Sequence, residues 1–165
     1  MHNLYLLSVW LHILAVVFWL GGMLFLVVVA LPVLRQGDPQ IMAQFLNKAA
    51  LRLRGLGWIS LLVLAGTGLF QLGYRRWLNP VLWSTPSPIA YLLWSKVGIF
   101  CLLIALSVYH DFWLGPKTAL AMREFPDAPE TLRLRKSASR MGRFTALLAL
   151  VMVALGVMMV RGTPA

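Results

Sequence analysis

The sequence predicts an all-α integral membrane protein: a single bundle of four transmembrane helices, with the N-terminus and C-terminus both outside. Two observations carry this. Of the 165 residues, 60% are hydrophobic and 12% charged, whereas a soluble domain has about 45–50% apolar and about 25% charged residues. The apolar residues also gather into four long runs, and roughly 20 helical residues suffice to cross a hydrocarbon core. The formal charge of +10 then belongs to loops that orient the chain against the membrane. Nucleic acid is excluded as a partner, and the lipid bilayer is the expected one.

The first span runs from about Leu4 to Pro32, interrupted only by Ser8 and His12. No basic segment or cleavage site marks it as a removable signal, so it is expected to remain as a span. The first loop opens with Gly37, Asp38 and Pro39, which can end one helix and cap the next. Ile41, Met42, Phe45 and Leu46 then recur near helical spacing, with Gln44, Asn47 and Lys48 between them. This reads as a short interfacial helix in the first cytoplasmic loop that runs into the second span, or as a plain extension of that span.

The second span covers about Gly55 to Gly73. The loop after it carries Arg75, Arg76, Trp77, Pro80, Trp83, Pro86 and Pro88; the prolines forbid a long helix and the tryptophans suit the headgroup level. The third span, about Ala90 to Trp113, should stop at Gly115 and Pro116. The most polar stretch, Gly115 to Gly142, follows, with Asp127 and Pro129 placed to start the helix that becomes the fourth span, about Arg143 to Val160. All four spans form one domain. A Leu-Arg-Leu-Arg run precedes both the second span (Leu51 to Arg54) and the fourth (Leu132 to Arg135); it reads as a duplicated two-helix unit or as coincidence, since its spacing to the following span differs.

Loops one and three hold eleven basic residues, while the opposite side holds Arg75, Arg76 and Arg161. Loops one and three are therefore expected in the cytoplasm, in a bacterial-type inner membrane. Cys101 is the only cysteine, so no intrachain disulfide can form. No CxxC, HExxH, phosphate loop or dinucleotide-binding pattern occurs.

This orientation sorts the polar residues by depth. His12 falls in the outer half of the first span, and an ionisable residue at membrane depth is a functional-site hypothesis by default. Lys96, Gln71 and the pair Met158 and Met159 should reach a similar level beneath Arg75 and Arg76. The plainer readings are that Lys96 snorkels to the headgroups and that His12 hydrogen-bonds a neighbouring helix. His110 lies 14 residues after Lys96, or about 21 Å along a helix, so it cannot share a ligand with His12 and reads as an interfacial residue. Gly21, Gly22, Gly66, Gly68 and Gly156 read as close-packing points between helices.

Trp10-Leu11-His12, Phe18-Trp19-Leu20-Gly21-Gly22 and Leu31-Pro32 mark the first span. Leu93-Trp94-Ser95-Lys96 opens the third, and Tyr109-His110-Asp111-Phe112-Trp113-Leu114-Gly115-Pro116 ends it. With four spans and a basic segment before the second, the chain resembles the copper resistance protein D (CopD) group and the related HemJ group, which works on protoporphyrinogen and binds b-type haem. The resemblance matches His12 to a first-span histidine and Lys96 to a third-span lysine that both groups share.

Three functions follow, copper handling first, with haem binding and an accessory role as the alternatives. The resemblance to CopD implies copper handling, transport or resistance, for which His12, Met158, Met159 and His2 are the available ligands; imidazole and thioether both suit copper. The resemblance to HemJ implies haem b on His12, with Lys96, Arg75 and Arg76 as cations for the propionates, and an oxidoreductase only if a porphyrin substrate is also admitted. The third is a non-catalytic subunit of a larger membrane complex, or a homo-oligomer. No catalytic residue is assigned, and a non-enzymatic role is favoured.

Overall fold

The computed structural model describes residues 2–34, 36–37 and 39–161, without the side chains of residues 39, 40, 42, 43, 46, 47 and 50. Helix α1 spans His2–Leu34, α2 Pro39–Tyr74, the short α3 Pro80–Ser84, α4 Pro88–Glu124 and α5 Pro129–Arg161. Four of these are long and apolar enough to cross a membrane. Large apolar side chains line the outside of the bundle, with Leu62 69% and Val160 71% exposed. Water would not tolerate such a surface, but hydrocarbon does. The protein is an all-helical membrane protein, and no strand occurs among the described residues.

No separate interfacial helix precedes the second span. Residues 41–48 are the opening turns of α2, which runs unbroken to Tyr74; the extension reading is the one seen. The third span departs further from expectation, because Gly115 and Pro116 do not stop α4. Its residues His110–Leu114 form a wider π turn, in which the Gly115 N–H bonds back five residues to the His110 carbonyl. In that register Pro116 would bond to the Asp111 carbonyl but has no N–H. The Arg54 guanidinium takes that carbonyl instead, at 3.1 Å, and the helix continues to Glu124. Helix α1 repeats the device: a π turn at Phe25–Ala30, with the Leu31 N–H bonded to Leu26, lies directly before Pro32.

The pairing is sequential. Helix α1 packs along α2 and α4 along α5, with α1 also touching α5. Ala15, Leu61 and Leu64 form a small core between α1 and α2, closed by Trp19, Trp58 and Phe100. Each pair thus has a first helix with a π turn before a proline and a second helix that carries a Leu-Arg-Leu-Arg run, well inside α2 but in the opening turns of α5. His12 precedes Pro32 by 20 residues, and Lys96 precedes Pro116 by the same 20. Trp10-Leu11-His12 and Trp94-Ser95-Lys96 therefore occupy matching places in two parallel units.

Asn79 caps α3 by accepting from the Val81 N–H, and Ser87 caps α4 by accepting from the Ala90 N–H. In the turn before α3, Arg76 adopts φ 57°, a left-handed conformation uncommon for a side-chain-bearing residue.

Candidate functional site

A polar seam joins α1 to α2 near the N-terminal end of the bundle. Tyr5, Ser8 and His12 recur at helical spacing on α1, and Thr67, Gln71 and Arg75 do so on α2, so antiparallel packing brings them face to face. Arg75 donates twice to the Tyr5 hydroxyl, at 2.9 and 2.6 Å, and lies over the Trp77 ring at 4.9 Å. Gln71 donates to the Ser8 carbonyl and hydroxyl at 3.4 Å. Deepest in the seam, His12 Nδ1 sits 2.7 Å from the Thr67 hydroxyl.

The chemistry of Thr67 decides how His12 is protonated. Its hydroxyl donates to the Val63 carbonyl one turn earlier. That carbonyl can only accept, so the single Thr67 proton is used there and the oxygen's lone pairs face the imidazole. His12 must then donate from Nδ1, which leaves Nε2 as a lone pair free for a ligand. Orienting a ligating imidazole through its other nitrogen is the usual supporting arrangement in metal sites. Gly68 faces the ring edge, where a Cβ would stand in ordinary contact, 3.7 Å from His12 Cε1.

Lys96 on α4 acts electrostatically on His12, and Arg75 acts on Lys96. Its ammonium also lies 3.5 Å from where a Cβ on Gly156 of α5 would stand. The structure thus groups His12, Lys96 and Arg75. It does not bring every expected residue with them. His2 begins α1, ten residues from His12 and so about 15 Å away along the axis; it cannot share a metal ion with His12. Arg76 is exposed at the turn and makes no side-chain hydrogen bond among the described residues. Met158 and Met159 are half-buried, within a turn of Gly156. Of the five expected packing glycines, Gly22, Gly68 and Gly156 have close neighbours, whereas Gly21 and Gly66 face open space.

Copper and haem ask different things of this donor set. Among the described residues no group of three or more His, Cys, Asp or Glu could hold a metal ion. Asp111, Glu124, Asp127 and Glu130 all lie toward the far end of α4 and the start of α5, so no described carboxylate offsets Lys96 and Arg75. A bare cation would be repelled there.

A second cluster, not assembled by the sequence reading, lies at the opposite end of the bundle. Asp111 Oδ1 is 3.0 Å from His110 Nδ1, and Oδ2 accepts from Trp58 Nε1 at 3.1 Å. Arg54 lies over the Phe112 ring at 5.7 Å. Arg54, Trp58, His110 and Asp111 border a cavity of about 370 Å³ that also meets Trp19, Arg135 and Ser139. The signal that could have found it is Asp111 itself, an acid beside a histidine at the end of an apolar run.

Comparison with known proteins finds little that carries a description. No family model matches the chain, and no solved structure matches it. It is similar to a protein of Aquifex aeolicus (strain VF5) described as an uncharacterized protein, with 30% identity over 157 residues and 92% of each chain covered.

Proposed function

This chain and the Aquifex aeolicus protein belong to one family, and we propose that the chain is a CopD- and HemJ-like inner-membrane protein that binds b-type haem on His12. The observation that carries the reading is the Thr67 hydroxyl, which fixes the Nδ1–H tautomer and leaves Nε2 available. In this reading Lys96 and Arg75 hold the propionates. A haem so bound supplies one-electron transfer. The residues around it set its binding: Thr67 orients the imidazole, and the two cations favour the anionic cofactor over a free metal ion.

Copper handling stands second. It rests on the CopD resemblance and on Met158 and Met159, and Lys96 weighs against it. The test is an absorption spectrum with metal analysis on the purified protein. A Soret band lost in His12→Ala and kept in His110→Ala supports haem. Stoichiometric copper without such a band supports copper handling and overturns haem, and the absence of both favours the role of accessory subunit.

The basic-residue count supports the orientation included in this proposal: both termini and the Arg75–Arg76 turn outside, loops one and three in the cytoplasm. With Cys101→Ala as background, Thr85→Cys should react with an impermeant maleimide on intact cells, and Glu124→Cys only after lysis. The reverse pattern refutes the orientation.

A further inference from the structure

We propose that the cavity at the end of the bundle opposite His12 binds a small amphipathic acid, an apolar body carrying one carboxylate or phosphate group. This goes beyond the reading of His12 and is independent of it. The cavity's volume of about 370 Å³ lies in the range of small-molecule sites, roughly 300–1,000 Å³. Its walls are mostly apolar, with Trp19, Trp58 and Met122 among them, and its charged groups are Arg54, Arg135 and Asp111.

The charges do not cancel locally. Both Asp111 carboxylate oxygens are engaged, by His110 and Trp58. Among the described residues neither Arg54 nor Arg135 has an ion pair. Arg54 uses one N–H on the Asp111 carbonyl, and Arg135 makes no side-chain hydrogen bond within that set. Both arginines are half-buried residues. A cation withdrawn from water needs an anion or a full set of hydrogen bonds to offset its desolvation, and a planar guanidinium matches a carboxylate or phosphate with two parallel bonds.

The two arginines are also the corresponding last residues of the two Leu-Arg-Leu-Arg runs. They reach the cavity from α2 and α5, and Arg54 also touches the π turn that carries His110 and Asp111. One acidic group between them would satisfy both, with its apolar part against the tryptophans. A neutral ligand would leave both cations unpaired, and a dianion would meet Asp111.

The experiment uses the full chain in phosphatidylcholine nanodiscs, titrated with terminally brominated decanoate while tryptophan fluorescence is followed. Trp19 and Trp58 line the cavity, so occupancy there quenches them. The expected result is saturable quenching, reversed by unbrominated decanoate and absent with the brominated alcohol. Arg135→Gln should weaken it about tenfold or more, whereas Arg135→Lys, which keeps the charge, should lose less. Nanodiscs containing brominated phosphatidylglycerol separate the sources: quenching without decanoate, relieved by decanoate, identifies a bilayer lipid, and its absence identifies a soluble acid. Either supports the shared chemistry. The proposal is overturned if quenching never saturates, if the alcohol binds equally, or if Arg135→Gln, folded by circular dichroism and size exclusion, binds unchanged. Should Arg135→Gln not fold, weak binding to the alcohol with tight binding to the acid by Arg135→Lys still supports it, and equal binding of the two still overturns it.

Discussion

Thr67→Val tests the His12 site most directly. The substitution keeps the side chain's shape but removes the oxygen that accepts from His12 Nδ1 at 2.7 Å. Two costs follow, and their sizes differ. A buried donor left unpaired costs about 1–3 kcal/mol in soluble proteins, but side-chain hydrogen bonds between membrane helices average only about 0.6 kcal/mol, because the imidazole can find other partners. Stability should therefore fall little. The imidazole then loses its fixed tautomer, and disturbing such a supporting partner typically lowers metal affinity 10–100-fold, or about 1.4–2.7 kcal/mol. The assay is titration of detergent-purified apoprotein with haem, read at the Soret band, alongside thermal unfolding. Thr67→Val should bind 10–100-fold more weakly with a nearly unchanged unfolding temperature, and Thr67→Ser should restore binding. Affinity within twofold of wild type for Thr67→Val, or a Thr67→Ser variant as weak as Thr67→Val, refutes the tautomer argument.

Further outcomes follow from single contacts. Gly115→Ala places a Cβ 2.9 Å from the His110 carbonyl oxygen, a backbone atom that cannot swing aside; a loss of about 1–3 kcal/mol should appear as a lower unfolding temperature, and an unchanged one contradicts the π turn. Gly21→Ala meets nothing within 4 Å and should be neutral or slightly stabilising in the same measurement, since Ala is the better helix former. His2→Ala should leave ligand content untouched, because α1 keeps His2 about 15 Å from His12; a loss of copper or haem in this variant would show that the N-terminus folds back. Asp111→Leu removes the acceptor of Trp58 and His110 and should lower stability while a Soret band, where present, persists.

The four spans were legible because length and hydropathy depend on local composition alone. That His12 and Lys96 lie at the same end of the bundle was legible by counting residues from the span ends. Gly115 and Pro116 misled, because both residues normally end helices, whereas here a π turn precedes them and the Arg54 guanidinium from α2 takes the carbonyl that Pro116 leaves without a donor. The His110–Asp111–Trp58 cluster was hidden for a similar reason. Trp58 is more than 50 residues from His110 and Asp111, and no periodicity in either span encodes the register that joins them. Gly21 and Gly66 look like Gly22 and Gly68 in sequence, yet only the packed helices distinguish a glycine that faces a neighbour from one that faces lipid.

Each π turn amounts to one additional residue in a helix, and one residue is worth about 100° of rotation. Every side chain beyond Leu114 is turned by that angle relative to an uninterrupted helix, and this directs Thr118 and Met122 into the cavity wall. Relatives should therefore align with this chain through a single-residue gap somewhere in 110–114 if they lack the turn. A homologue with that gap would keep every apolar residue of the span and still present a different inner wall, so its ligand would have to be read afresh.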